Sequence, residues 1–111
     1  MKTTITHQDS VAIIGLDGNL FGGSDSTAFC NIIADLLRRS SYKVVLDLAN
    51  LNWISIAGTG LLMSALTAFR NHNGDIKLAA PSPEIQDILS RASFDAVFDY
   101  YDNSYAAVAA F

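Results

Sequence analysis

The chain has 111 residues, half of them hydrophobic and 16% charged, with a formal net charge of −4. That length suits one domain over residues 1–111, and the apolar content is enough for a core without disulfide or metal staples and too high for a disordered chain. The seven Lys and Arg residues never cluster beyond Arg38–Arg39, so the concentrated positive charge that displaces phosphate counterions is missing and nucleic acid is not an expected partner.

Thr3–Thr6 and Val11–Leu16 are rich in β-formers, and Gln8-Asp9-Ser10 between them reads as a hairpin turn. Gly18 and Gly22-Gly23-Ser24 then break the strand pattern. Ser24 or Ser26 can cap the helix that follows. Phe29, Ile32, Ile33 and Leu36 fall at i, i+3, i+4, i+7, one helical face, and Arg38 and Arg39 suit its negative C-terminal end. Cys30 lies within this apolar stripe with no second cysteine and no metal-ligand spacing, which predicts a buried free thiol in a reducing, cytoplasmic setting.

Val44-Val45-Leu46 reads as a strand buried on both faces. A loop with Asn50 and Asn52 leads to Trp53 and Ile54. A second helix starts near Ala57, carries Leu62, Ala65, Leu66 and Phe69 on one face, and ends at Asn73-Gly74, where glycine would supply a left-handed cap. Ile76–Ala79 is the next strand. Pro81-Ser82-Pro83 opens a third helix bearing Ile85, Ile88 and Leu89, with Pro83 in the first turn where its missing N–H costs nothing. Ala96-Val97-Phe98 is a candidate strand, and Asp102 or Ser104 a candidate cap for a last helix running to Ala110. Strands alternating with helices predict one sheet with helices packed against it. No apolar run approaches the ~18–20 residues of a membrane span, and the N-terminus lacks a signal-type segment. Direct membrane insertion is therefore not expected, and any membrane link would run through a partner.

The informative stretch is Val44–Leu62. Val44-Val45-Leu46-Asp47-Leu48, Leu51-Asn52-Trp53-Ile54 and Gly58-Thr59-Gly60-Leu61-Leu62 follow one another in chain order, with Gly18-Asn19-Leu20 upstream and Pro81 and Leu89 downstream. This ordered set resembles the STAS domain of bacterial anti-sigma factor antagonists over nearly the whole chain. The resemblance implies an α/β fold: a mixed sheet of about four to five strands with about four helices packed on it. It also implies a regulatory protein-binding domain and no catalysis, catalytic residues, cofactor or metal. The implied partner is an anti-sigma factor that is also a serine kinase.

That family's switch is a short motif: aspartate, a serine or threonine that accepts phosphate, a small residue, glycine. Free N–H groups and the helix dipole favour an anion there, phosphate adds nearly two negative charges that a close-packed interface cannot absorb unpaired, and glycine lets a partner backbone approach. Aligned through Gly58, Ser55 takes the aspartate position and Ile56 the phosphoacceptor position. Isoleucine has no hydroxyl, so the usual switch is absent. Ser55 and Thr59 are the nearest alternative acceptors; the simpler roles are a cap for Ser55 and a first-turn position for Thr59. Ile56 is either an interface anchor or an inward core residue. The expected binding surface is Ser55, Ile56, Ala57, Gly58, Thr59 and Gly60, with Gly18, Asn19 and Phe21.

Other constellations are weaker. Gly58-x-Gly60 lacks the third glycine of a dinucleotide fingerprint, Met63 standing in its place, and no lysine follows as in a phosphate loop. Gly22-Gly23-Ser24 is better read as a turn and cap than as an anion site. His7 and His72 have no Cys or carboxylate at ligand spacing. Asp47 at a strand end could face the rim of Ser55 or simply hydrogen-bond its own loop. Trp53 and Phe21 are either rim anchors or core packing, and Tyr100, Tyr101 and Tyr105 are read as packing with their hydroxyls in water. Two rival functions stand beside the antagonist: a docking or regulatory subunit of a transporter or stress-signalling assembly, and a nucleotide or small-ligand binder. A homodimer is left open.

Overall fold

The structure, a computed structural model, describes residues 1–22 and 24–111, with the side chains of residues 24–26 excepted. The expected caps Ser24 and Ser26, and the Gly22-Gly23-Ser24 anion reading, lie outside the described residues and side chains.

Lys2–Gln8 (β1) and Val11–Leu20 (β2) form an antiparallel hairpin. Asp9 and Ser10 have φ of 52° and 68°, the pair of left-handed residues that lets a two-residue turn match strand twist. β2 does not stop at Gly18. That residue takes φ +108° beside a register shift, and the strand continues to Leu20 because a further strand pairs with it there. This is Leu51–Ile54 (β4), read from sequence as loop because of its asparagines; Leu51 and Ile54 are buried while Asn52 and Trp53 are exposed.

Lys43–Asp47 (β3) and Asp75–Ala79 (β5) complete the centre, and Tyr100–Tyr101 (β6) closes one edge. The sheet has six strands, more than the four to five expected, in the order β1-β2-β3-β5-β6 with β4 on β2; only β1 is antiparallel. Helices Ser24–Arg38 (α1), Ile56–Arg70 (α2) and Pro83–Arg91 (α3) contribute to the main core on one face. Ser104–Ala109 (α4) packs on the other, where Ala107 and Val108 meet Val11, Val45 and Ala79. Val44 and Leu46 therefore face the main core and Val45 the second layer, which explains the unbroken apolar run. No helix among the described residues is long and apolar enough to cross a membrane.

Several local expectations are corrected. The residues Ala96-Val97-Phe98 are not a strand. Phe94–Ala96 is a 3-10 turn whose Phe94 stacks on Phe98 at 5.1 Å, so the apolar content serves the core. Asn73, not Gly74, takes the left-handed conformation after α2, with φ 61°. Gly74 is required for another reason: a Cβ there would run into the Tyr42 carbonyl. Neither Asp102 nor Ser104 caps α4; the Asn103 side chain accepts from Ala106 N–H at 2.9 Å. Cys30 is exposed, because Phe29 and Ile33 take the buried face of α1 and turn residue 30 outward. The Tyr100 hydroxyl is buried rather than in water and lacks a hydrogen-bond partner by geometry. Burial, and then the neighbouring Asp95 carboxylate, raise its pKa well above the ordinary tyrosine value.

One buried cation was not legible in the sequence. Lys77 on β5 is 7% exposed and lies 3.5 Å from Asp99 and 3.7 Å from Asp75, with the Phe111 ring 4.9 Å away. Partly exposed carboxylates and an aromatic face thus offset the cost of burying its charge.

Because Leu46 is fully buried at the centre of the sheet, Leu46→Ala should lower unfolding free energy by about 2–5 kcal/mol. Urea denaturation followed by circular dichroism measures this, and a loss under about 1 kcal/mol would contradict the assigned core.

Candidate partner-binding site

The site is built where β2 and β4 end and α2 begins. Ser55 has extended backbone geometry (φ −85°, ψ 172°), and its Oγ accepts from Gly58 N–H at 3.0 Å, which makes it the N-cap of α2. The same hydroxyl lies 3.0 Å from the Phe21 carbonyl, to which it can donate, and Ser55 N–H donates to the Leu20 carbonyl at 3.0 Å. The first turn of α2 is thereby fastened to the end of β2.

Gly58 makes this approach possible. A Cβ at that position would run into the Leu20 carbonyl and come within 2.9 Å of Ile54 Cγ1. The close backbone approach that glycine permits is therefore internal; Gly58 is buried and offers no side to a partner. Thr59 is also buried, 7% exposed, and its Oγ1 donates to the Ile56 carbonyl at 2.6 Å. Both hydroxyls nearest to position 56 are engaged in building the helix start.

Ile56 projects outward and is 90% exposed. Phe21 and Trp53 are exposed too, at 52% and 49%, so the core-packing reading of these three residues is set aside. Ala57, Gly60 and Asn19 are on the surface, Gly18 and Ser55 half-buried. Ala57 sits against the turn after β2, since a Cβ on Gly22 would meet its Cβ at 3.5 Å. The structure thus brings the Phe21 turn and the Ser55–Gly60 segment together. Gly18 and Asn19 line an open recess with Met1, Lys2, Asp17 and Phe21, none of which lines the apolar groove beside Ile56.

Helix α3 and its C-terminal end add Ile88, which the sequence set on one side of that helix with Ile85 and Leu89, and Arg91 and Ala92, which it did not single out. Ile56, Thr59, Ile88, Arg91 and Ala92 line an apolar groove of about 400 Å³. The spacing of Ile88 and Ala92, one helical turn apart, was the available signal, but only the fold sets that face beside Ile56. Asp47 is not part of this site: its carboxylate accepts from Ala49 N–H at 3.1 Å, as a loop-capping aspartate does. His72 stacks on Tyr42 at 5.2 Å with Nδ1 2.9 Å from the Ala68 carbonyl, and His7 is exposed on β1. Among the described residues no group of three His, Cys, Asp or Glu is placed to hold a metal ion.

The sequence model of the STAS domain matches residues 2–107. The chain belongs to the STAS domain family. It is 26% identical over 111 residues to the Bordetella bronchiseptica protein BtrV, named as an anti-sigma factor antagonist, covering 100% of this chain and 95% of the relative. Among solved structures it is similar to a Thermotoga maritima protein named 'putative anti-sigma factor antagonist', with TM-score 0.88 and 20% identity over 96% of this chain and 91% of that one. It also shares its fold with a sulfate transporter family protein of Wolinella succinogenes, TM-score 0.79 and 17% identity, over 94% and 86% of the two chains.

Two substitutions test how the STAS site is held. Ser55→Ala should cost about 1 kcal/mol, since it removes the α2 cap. Gly58→Ala should cost more, in the range of about 1–3 kcal/mol for overpacking. Thermal unfolding of the pair reports the order, and a Gly58→Ala variant as stable as the parent would contradict the close seat on Leu20.

Proposed function

We propose that this STAS domain binds a serine-kinase anti-sigma factor through the surface formed by Phe21, Trp53, Ser55, Ile56, Ala57 and Gly60, and that it does so without a phosphate switch at residue 56. The observation that carries this reading is the 90% exposure of Ile56 at a helix start where the family usually places a phosphorylatable hydroxyl. An isoleucine left 90% exposed at a helix start gains little from burial in the free chain. Buried against a partner it is worth about 1.5–3 kcal/mol, and the exposed aromatics beside it are of the type that anchors interfaces.

The engaged hydroxyls of Ser55 and Thr59 support the absence of a nearby substitute switch: phosphate would remove the donation from Ser55 Oγ to the Phe21 carbonyl, or that from Thr59 Oγ1 to the Ile56 carbonyl. The site acts by surface complementarity, with no group assigned to chemistry, cofactor or metal.

Ile56→Asp and Ile56→Glu place a negative charge where a phosphate would stand. Each should weaken binding to the partner at least tenfold, about 1.4 kcal/mol, with unfolding stability unchanged. The partner is first identified by affinity capture with mass spectrometry of captured proteins and bait. The variants are then compared by isothermal titration. Unchanged affinity would remove Ile56 from the interface. Capture of transporter or stress-signalling subunits in place of a kinase would favour a docking subunit, and a phosphorylated bait would overturn the unswitched reading.

A further inference from the structure

We propose that the outer edge of β1 is a self-association surface, on which a second copy of this chain pairs antiparallel, Ile5 against Ile5, joining two six-stranded sheets into one. The proposal is independent of the anti-sigma reading. β1 lies at the end of the sheet, paired to β2 along all seven of its residues and to no other strand. The opposite edge is blunted, β6 being only two residues long. β1 has no proline, no register shift and a single charged residue, Lys2, at its start, so it lacks most devices that keep exposed edges from pairing.

Hydrogen-bond parity restricts the register. The two-residue turn makes Gln8 and Val11 a hydrogen-bonded pair, so Lys2, Thr4, Thr6 and Gln8 direct their backbone groups toward β2. Thr3, Ile5 and His7 direct theirs outward. A two-fold axis at Ile5 sets Ile5 against Ile5 and Thr3 against His7, outward groups facing outward groups, for about six interchain bonds. A slip of one residue sets outward groups against inward ones and loses them.

The side chains agree with this register. Ile5 is 44% exposed and lies opposite Ile14, which is fully buried in the main core, so Ile5 against Ile5 continues that core across the axis. Lys2 falls opposite Gln8, next to Asp9 in the partner copy's turn, so no like charges face each other and opposite ones are neighbours. One strand pair is small against the roughly 1,200–2,000 Å² of stable interfaces, so association is reversible and concentration-dependent.

Sedimentation equilibrium of the full chain from about 10 μM to about 1 mM is the test. The parent should shift from monomer to dimer, with slowed amide exchange at Thr3, Ile5 and His7. Ile5→Lys and Ile5→Glu alone should each weaken dimerisation at least tenfold, because each charge meets its own copy. An equimolar mixture of the two should dimerise again, a rescue that a folding defect would not give. A parent that stays monomeric at 1 mM, single variants that still dimerise, or a mixture without rescue would each overturn the proposal.

Discussion

The seating of α2 on the end of β2 is the contact on which the site depends. Gly58 has no side chain because the Leu20 carbonyl and the Ile54 side chain occupy that space. Removing the Cβ lets the helix backbone descend to where Ser55 can both cap it and bond to the β2 terminus. Once those bonds are made, the helix start has no freedom left in its direction. Residue 56, next after the cap, must point away from the sheet. An apolar side chain is held in water there by the geometry of its neighbours rather than by any preference of its own.

The same contact explains the shape of β2. Composition places the end of the strand near Gly18, yet the chain stays extended to Leu20 because β4 pairs with it there. β4 carries two consecutive exposed residues, Asn52 and Trp53, and is preceded by Asn50, so neither alternation nor propensity marks it as a strand. Its partner supplies the missing specification. Leu20 can then present its carbonyl to α2. A strand invisible in local sequence is thus a condition for the exposed position of Ile56.

What the sequence made legible followed from periodicity. The faces Leu62, Ala65, Leu66, Phe69 and Phe29, Ile33, Leu36 are buried as their spacing requires, with Ile32 of the second face only half-buried, and Val44-Val45-Leu46 is buried on both sides. Errors arose where one residue type serves two ends. Phe94 and Phe98 are apolar for the core, not for a strand. Asn73 takes the left-handed conformation that glycine usually provides, while Gly74 answers to a carbonyl across space. Lys77 is buried because distant carboxylates and the Phe111 ring converge on it, which no local window contains. For the site, position along the chain was readable and orientation was not. Ser55, Ile56 and Thr59 could be named from the motif. That Thr59 turns inward and Ile56 outward is set by the seat of α2 on β2, and that Ile88 and Ala92 flank Ile56 is set by the placement of α3 beside β4.

An isoleucine and a phosphoacceptor at position 56 are physically opposed choices. A hydroxyl allows an interface to be dissolved by charge, at the expense of apolar contact in the unmodified state. Isoleucine gains the contact: about 1.5–3 kcal/mol of buried side chain corresponds to roughly 10–100-fold in affinity. It forfeits the charge. A complex anchored this way responds to how much of each component is present rather than to a modification at its centre. Free concentration of the competent form then becomes the controlling quantity. An exposed seven-residue edge such as β1 matters in that setting, because self-pairing draws on the same pool of free chain, and its fraction rises steeply with total concentration. On the two proposals made above, the isoleucine at position 56 and the self-pairing edge act on one variable.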